Sequence, residues 1–134
     1  MNSVFADTSY YIALVNPRDM VFDAAGGFTR RFHGTMYTTE YVLLETANRL
    51  SRSGDRGLFL ELFKRLNDDP DIVVVEASKE LFKQGLNIYA KRPDKDWSLT
   101  DCISFVVMKQ HGLTEALTAD RHFDQAGFRA LLKA

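Results

Sequence analysis

Cysteine is almost absent: Cys102 is the only one in 134 residues. That excludes an internal disulfide framework and a Cys-rich zinc site, and it fits a reducing, cytoplasmic setting. Proline is scarce, with Pro17, Pro70 and Pro93 in turns between periodic segments. No apolar run approaches the roughly 20 residues a bilayer span requires, so no membrane role is expected. The opening MNSVFADTSYYIALVN lacks a basic n-region and carries Asp7 early in its apolar stretch, unlike a signal peptide. Neither sign of charge dominates, since 17 Lys+Arg face 18 Asp+Glu for a formal charge of −1. A generally basic nucleic-acid binder is thereby excluded, and any contact with nucleic acid must use local charge. Repeats, low-complexity tracts and linkers are missing as well, and the length suits one domain over 1–134.

What is present alternates. Apolar and β-branched runs predict short buried strands at Ser3–Ala6, Met36–Thr38, Ile72–Val75 and Ala116–Thr118, with a fifth near Phe128–Leu132. Helical spacing predicts helices over Tyr10–Val15, Met20–Phe32, Glu40–Arg52, Leu58–Leu66, Lys79–Ala90 and Leu99–His111. This order implies an α/β domain with a mostly parallel sheet of four to five strands and helices on both faces. Ser98-Leu-Thr-Asp101 has capping-box spacing with Asp in place of Glu. Ser78 stands before one helix and Gly112 after another, as caps do. Gly26-Gly27 predicts a kink or a break in the second helix.

The chemistry-bearing feature is the placing of four acids. Asp7 follows the first strand and Asp120 comes just after the fourth. Parallel strands end on one edge, where α/β sheets bind ligands. Asp101 lies in the first turn of a helix, and Glu45 on the helix after the second strand. Each has a plainer account: Asp7, Asp101 and Asp120 as caps, Glu45 as a solvated partner of Arg49 four residues on. Convergence would be costly. Two unit charges 5–8 Å apart repel by about 2–3 kcal/mol at an effective dielectric of 20, so six pairs would cost on the order of 12–20 kcal/mol. A domain's whole stability is about 5–15 kcal/mol. Such a cluster must take up protons, cations or a basic side chain. All-oxygen donors select hard ions, Mg2+ or Mn2+, and those suit phosphoryl chemistry.

Four segments carry a resemblance: VFADTSYYIAL with Asp7, TTEYVLLETANRL with Glu45, WSLTDCISFVVMKQHG with Asp101, and EALTADRHFDQAGF with Asp120. Together they resemble the PIN-domain ribonucleases, and among them the VapC-like toxins of type II toxin–antitoxin pairs. The resemblance implies a PIN fold in which Asp7, Glu45, Asp101 and Asp120 hold one or two divalent ions (Mg2+, with Mn2+ as substitute). It implies hydrolysis of RNA phosphodiesters by metal-activated water, a cognate antitoxin protein as partner, and a homodimer. Asp96 and Asp124 stand as second-tier acids, read first as surface charge; Thr8 and Ser98 read first as helix caps and second as donors to the carboxylates. Many relatives carry a His about three residues after an Asp opening the second helix; here Asp19 is followed by Met20, Val21 and Phe22.

Cations must offset an acidic pocket for RNA to approach. Candidates are Arg49, Arg52 and Arg56, then Lys91, Arg92 and Lys95, and Arg121-His122 beside Asp120. Trp97 reads as a half-buried anchor before it reads as a base-stacking platform. The aromatics Tyr10, Tyr11, Phe22, Phe28 and Phe32 are expected to overfill a small core and leave apolar surface for a partner. Alternatives are a non-toxin PIN nuclease of RNA processing and a catalytically silent PIN scaffold. A haloacid-dehalogenase-type phosphatase fails because Ser9 stands where its second Asp is needed, and a receiver domain because Glu76 follows Val75. With four ionised pocket carboxylates set aside, the charge of −1 becomes +3 for the remaining body.

Overall fold

The computed structural model describes residues 2–133. In chain order the elements are β1 (Ser3–Ala6), α1 (Thr8–Val15), α2 (Phe22–Arg31), β2 (Thr35–Thr39), α3 (Glu40–Arg49) and α4 (Arg56–Asp68). They continue with β3 (Ile72–Val75), α5 (Lys79–Lys91), α6 (Leu99–Gln110), β4 (Glu115–Leu117), α7 (His122–Gln125) and β5 (Arg129–Ala130). The strands form one sheet in the order β3-β2-β1-β4-β5, and every neighbouring pair is parallel. Central β1 buries Val4, Phe5 and Ala6 in succession. Consecutive burial marks a strand covered on both sides. The chain winds outward from β1 to β3, then crosses to β4 on the other side of β1. Right-handed crossovers therefore put the earlier helices on one face and the later ones on the other. The winding reverses between β1 and β4, which makes the crevice at their carboxyl ends the natural binding edge.

Local chemistry explains most boundaries. Ser98 Oγ accepts the Asp101 N–H at 3.0 Å while the Ser98 N–H donates to Asp101 Oδ2 at 3.1 Å, closing the capping box at the start of α6. Ser78 caps α5 by accepting the Leu81 N–H. Gly112, which ends the α6 segment, sits at φ 65°, a left-handed conformation that strains residues with a Cβ.

The expected break at Gly26-Gly27 does not occur; α2 runs through both glycines. Packing outweighs their poor propensity there. Tyr10 of α1 donates its hydroxyl to Thr29 Oγ1 at 2.7 Å, and Thr29 donates in turn to the Ala25 carbonyl at 2.8 Å. On the other side of the molecule α5 lies tight along α6, with Gly85 pressed against Ile103 so closely that no Cβ fits.

The aromatic surplus falls elsewhere than expected. Tyr10 and Tyr11 are fully buried, and Phe22, Phe28 and Phe32 are half-buried. The exposed large apolar side chains are Met20, Leu44, Leu60, Phe63, Val73, Phe82, Leu86 and Tyr89, mostly on α4 and α5. An all-round buried α1 absorbs most of the two tyrosines, so the exposed apolar side chains belong mostly to later helices, while Phe32 and Leu14 line an apolar groove beside α1. No helix among the described residues is long and apolar enough to cross a membrane.

Candidate active site

A cavity of about 320 Å³ opens at the carboxyl ends of β1 and β4. Its walls carry Asp7, Glu45, Asp101 and Asp120, so four acids from distant segments meet there. Asp96 stands on the same wall, as do Arg49 and His122. Asp96, read from sequence as surface charge, is exposed and still belongs to the rim. Asp124 stays out of it: its Oδ1 accepts the Ala130 N–H at 3.0 Å and ties α7 to β5.

Each acid is placed by its element. Asp7 occupies the N-cap position of α1, yet its side chain makes no capping bond. Its Oδ2 instead accepts the Thr118 hydroxyl at 2.9 Å. Thr118 Oγ1 also accepts the Asp120 N–H at 3.0 Å, and lies 3.0 Å from Ser9 Oγ, which accepts the Ala119 N–H. Because the Thr118 proton is committed to Asp7, Ser9 is the donor to Thr118. A polarised chain thus runs from the loop after β4 to the Asp7 carboxylate. The Thr8 hydroxyl serves no acid among the described residues; it donates to the Val42 carbonyl at 3.5 Å.

Asp101 keeps both of its readings. Oδ2 serves the capping box and also faces His122 Nδ1 at 3.0 Å, while Oδ1 has no hydrogen-bond partner among the described residues. Asp120 Oδ1 accepts the His122 N–H at 2.9 Å, and its Oδ2 lies 3.2 Å from His122 Nδ1. One ring nitrogen therefore stands between two carboxylates. Glu45 is half-buried on α3. No ion pair joins it to Arg49 among the described residues, so the expected surface pair is not formed and both side chains face the cavity.

His122 is the residue that sequence reasoning undervalued, having grouped it with Arg121 as a flanking cation. The signal was its neighbour. Phe123 is fully buried, 5.0 Å from Phe105 and 6.3 Å from Phe5 by ring centroids. That anchor fixes the short α7 and leaves His122 pointing the other way, into the acids. Trp97 is an anchor too, with Nε1 donating to Gln125 Oε1 and its ring edge-on to Phe105. Arg92 and Lys95 lie over its face, a cation–π arrangement at the approach to the cavity.

The electrostatics follow from this crowding. Burial, then the Asp101 charge, push the Asp7 carboxyl up to about 7, against the lowering effect of the Thr8 N–H and Thr118 hydroxyl. Burial also raises Asp101, partly offset by its bonds to Ser98 and His122. Five carboxylates share the cavity with one arginine and one histidine. Such a donor set is short of positive charge, and a divalent cation is one group that would offset it. Asp101, Asp120 and His122 offer three ligand atoms within 4.8 Å of one another.

Comparison with known proteins places this geometry. The PIN domain family model matches residues 4–129, and the chain belongs to that family. It is 30% identical over 127 residues to the 23S rRNA-specific endonuclease VapC20 of Mycobacterium tuberculosis, covering 93% of this chain and 95% of the relative. The crystal structure of M. tuberculosis VapC20, described as a Sarcin-Ricin loop cleaving toxin, superposes with a TM-score of 0.88 at 24% identity, covering 97% and 99% of the two chains. FitAcB from Neisseria gonorrhoeae superposes at 0.66 with 17% identity, covering 97% and 96%. The sequence reading of a mostly parallel α/β sheet of four to five strands is borne out, with five strands, all of them parallel.

Proposed function

We propose that this chain is a metal-dependent endoribonuclease, the toxin of a toxin–antitoxin pair, working in the cytoplasm as one PIN domain over 1–134. The observation that carries the reading is the meeting of Asp7, Glu45, Asp101 and Asp120 in one cavity at the switch between β1 and β4. The VapC20 relative is named for cleaving 23S rRNA, so that RNA is the first substrate to test.

The four acids would hold one or two divalent ions, and oxygen donors alone select Mg2+, with Mn2+ as substitute. When bound, such an ion supplies an acidified water and positive charge beside the scissile phosphate. The chain's own contribution is positioning. Thr118 fixes the Asp7 carboxylate, and the capping box fixes Asp101. Arg49 on the cavity wall offers a cation to a neighbouring phosphate.

Two surfaces support the partners. An apolar groove of about 580 Å³ between α1, α2 and α4, lined by Leu14, Phe32, Leu58 and Leu62, suits an antitoxin segment. Phe82, Leu86 and Tyr89 form an exposed stripe on α5 that suits a second copy.

Purified protein incubated with 23S rRNA in Mg2+ or Mn2+, with ends mapped by primer extension, is the test. Discrete internal cuts are expected, abolished by EDTA and reduced at least about 100-fold by Asp101→Asn, since even outer partners of a metal cost 10–100-fold. Cleavage that survives Asp101→Asn, or none of any RNA in either ion, overturns the reading.

A further inference from the structure

Four carboxylates would make an all-oxygen site, but the cavity holds a nitrogen as well. His122 Nδ1 lies 3.0 Å from Asp101 Oδ2 and 3.2 Å from Asp120 Oδ2, spacings that let the three atoms face one shared cation. Three features hold it there. The His122 N–H is bonded to Asp120 Oδ1, Phe123 anchors the next position in the core, and Ala126 N–H closes the turn on the His122 carbonyl. The ring is thus organised by backbone and packing, not by a flexible stem. In one tautomer Nδ1–H bridges the carboxylates; in the other, with the proton on Nε2, the Nδ1 lone pair points to the same spot. Exchanging the bridging hydrogen bond for a metal bond needs Nδ1 free of its proton, which moves to Nε2 in the neutral ring or is released to water from the charged one.

We infer that His122 is a nitrogen ligand of the ion held by these acids, making a mixed nitrogen–oxygen site that prefers Mn2+ to Mg2+. The inference rests on the metal-site reading proposed above and goes beyond its four acids. Imidazole suits a transition ion better than Mg2+, and the carboxylate majority suits Mn2+ among those ions. Sequence spacing supplies the pairing: Asp120 and His122, two residues apart across a tight turn, present ligands to one point.

Pulsed electron paramagnetic resonance of the purified protein loaded with Mn2+, without RNA, reads the ligand directly. Wild type is expected to show nitrogen-14 modulation from a coordinated imidazole, and His122→Asn to lose it. Titration should show Mn2+ affinity falling about tenfold or more in His122→Asn, by the scale of losing one metal partner, while Mg2+ affinity changes far less. His122 is partly exposed, so the variant should fold; circular dichroism checks this, and the wild-type spectrum stands without it. No nitrogen coupling in wild type, coupling that persists in His122→Asn, or equal losses for both ions overturns the inference. RNA cleavage without nitrogen coupling sinks this assignment and leaves the nuclease reading; coupling without cleavage of any RNA does the reverse.

Discussion

Replacing Asp7 by Asn should make the metal-free protein more stable while ending its activity. Asp7 is 4% exposed and its carboxyl is raised from 3.8 to about 7, first by burial and then by the Asp101 charge. Below about pH 4 both folded and unfolded chains hold the proton, and the full stability is present. Between 3.8 and 7 the unfolded chain releases it and the folded chain does not, so stability falls as pH rises. Above 7 the loss is complete. At about 1.4 kcal/mol per tenfold change in proton affinity, the ceiling of that loss is about 4 kcal/mol. Asn carries no such loss and still offers an oxygen to the Thr118 hydroxyl. Asp101, also raised, is present in both proteins and cancels to first order. Urea unfolding in EDTA should therefore show Asp7→Asn ahead of wild type at pH 8, by up to about 4 kcal/mol or on the order of 10 °C in Tm, with the gap closing near pH 4. Adding Mn2+ at pH 8 should stabilise wild type and leave the variant nearly unmoved. A gap that is equal at the two pH values, or one that favours wild type at pH 8, would refute the reasoning.

Two further substitutions test the supports. Thr118→Val removes the hydroxyl donated to Asp7 and the acceptor of the Asp120 N–H; unfolding should show a loss of about 1–3 kcal/mol from the stranded polar groups, with cleavage reduced and Thr118→Ser restoring both. Gly85→Ala pushes a methyl into Ile103 at the α5–α6 contact; overpacking there should cost about 1–3 kcal/mol in urea unfolding, with the metal affinity of the folded protein unchanged.

Legibility in the sequence followed the range over which each residue's constraint acts. The four acids could be found because strand ends and helix starts are local features, and a parallel sheet turns local position into shared location. Asp7 after SVFA and Asp101 after Ser98 needed only that rule. Thr118 was counted as a strand residue, but β4 ends at Leu117 and the threonine turns its hydroxyl into the site. Composition cannot show that shift of one residue, since a β-branched threonine following Ala116-Leu117 reads as strand. His122 escaped for a related reason. At four residues α7 is too short to show a period, and only the burial of Phe123 reveals which way its neighbour faces. The aromatics failed differently. Tyr10 and Tyr11 sit on a helix buried almost all round, which displays no stripe, whereas Phe82, Leu86 and Tyr89 recur at helical spacing and stay exposed. Periodicity reports that a face is apolar and says nothing of what covers it. The same limit separates the two halves of the electrostatic argument. A formal charge of −1 is a sum over the chain, but the raised Asp7 carboxyl depends first on its burial and then on the Asp101 charge beside it. Only folding sets that arrangement, and it converts an unremarkable total into a site that must take up protons, a cation or a basic side chain.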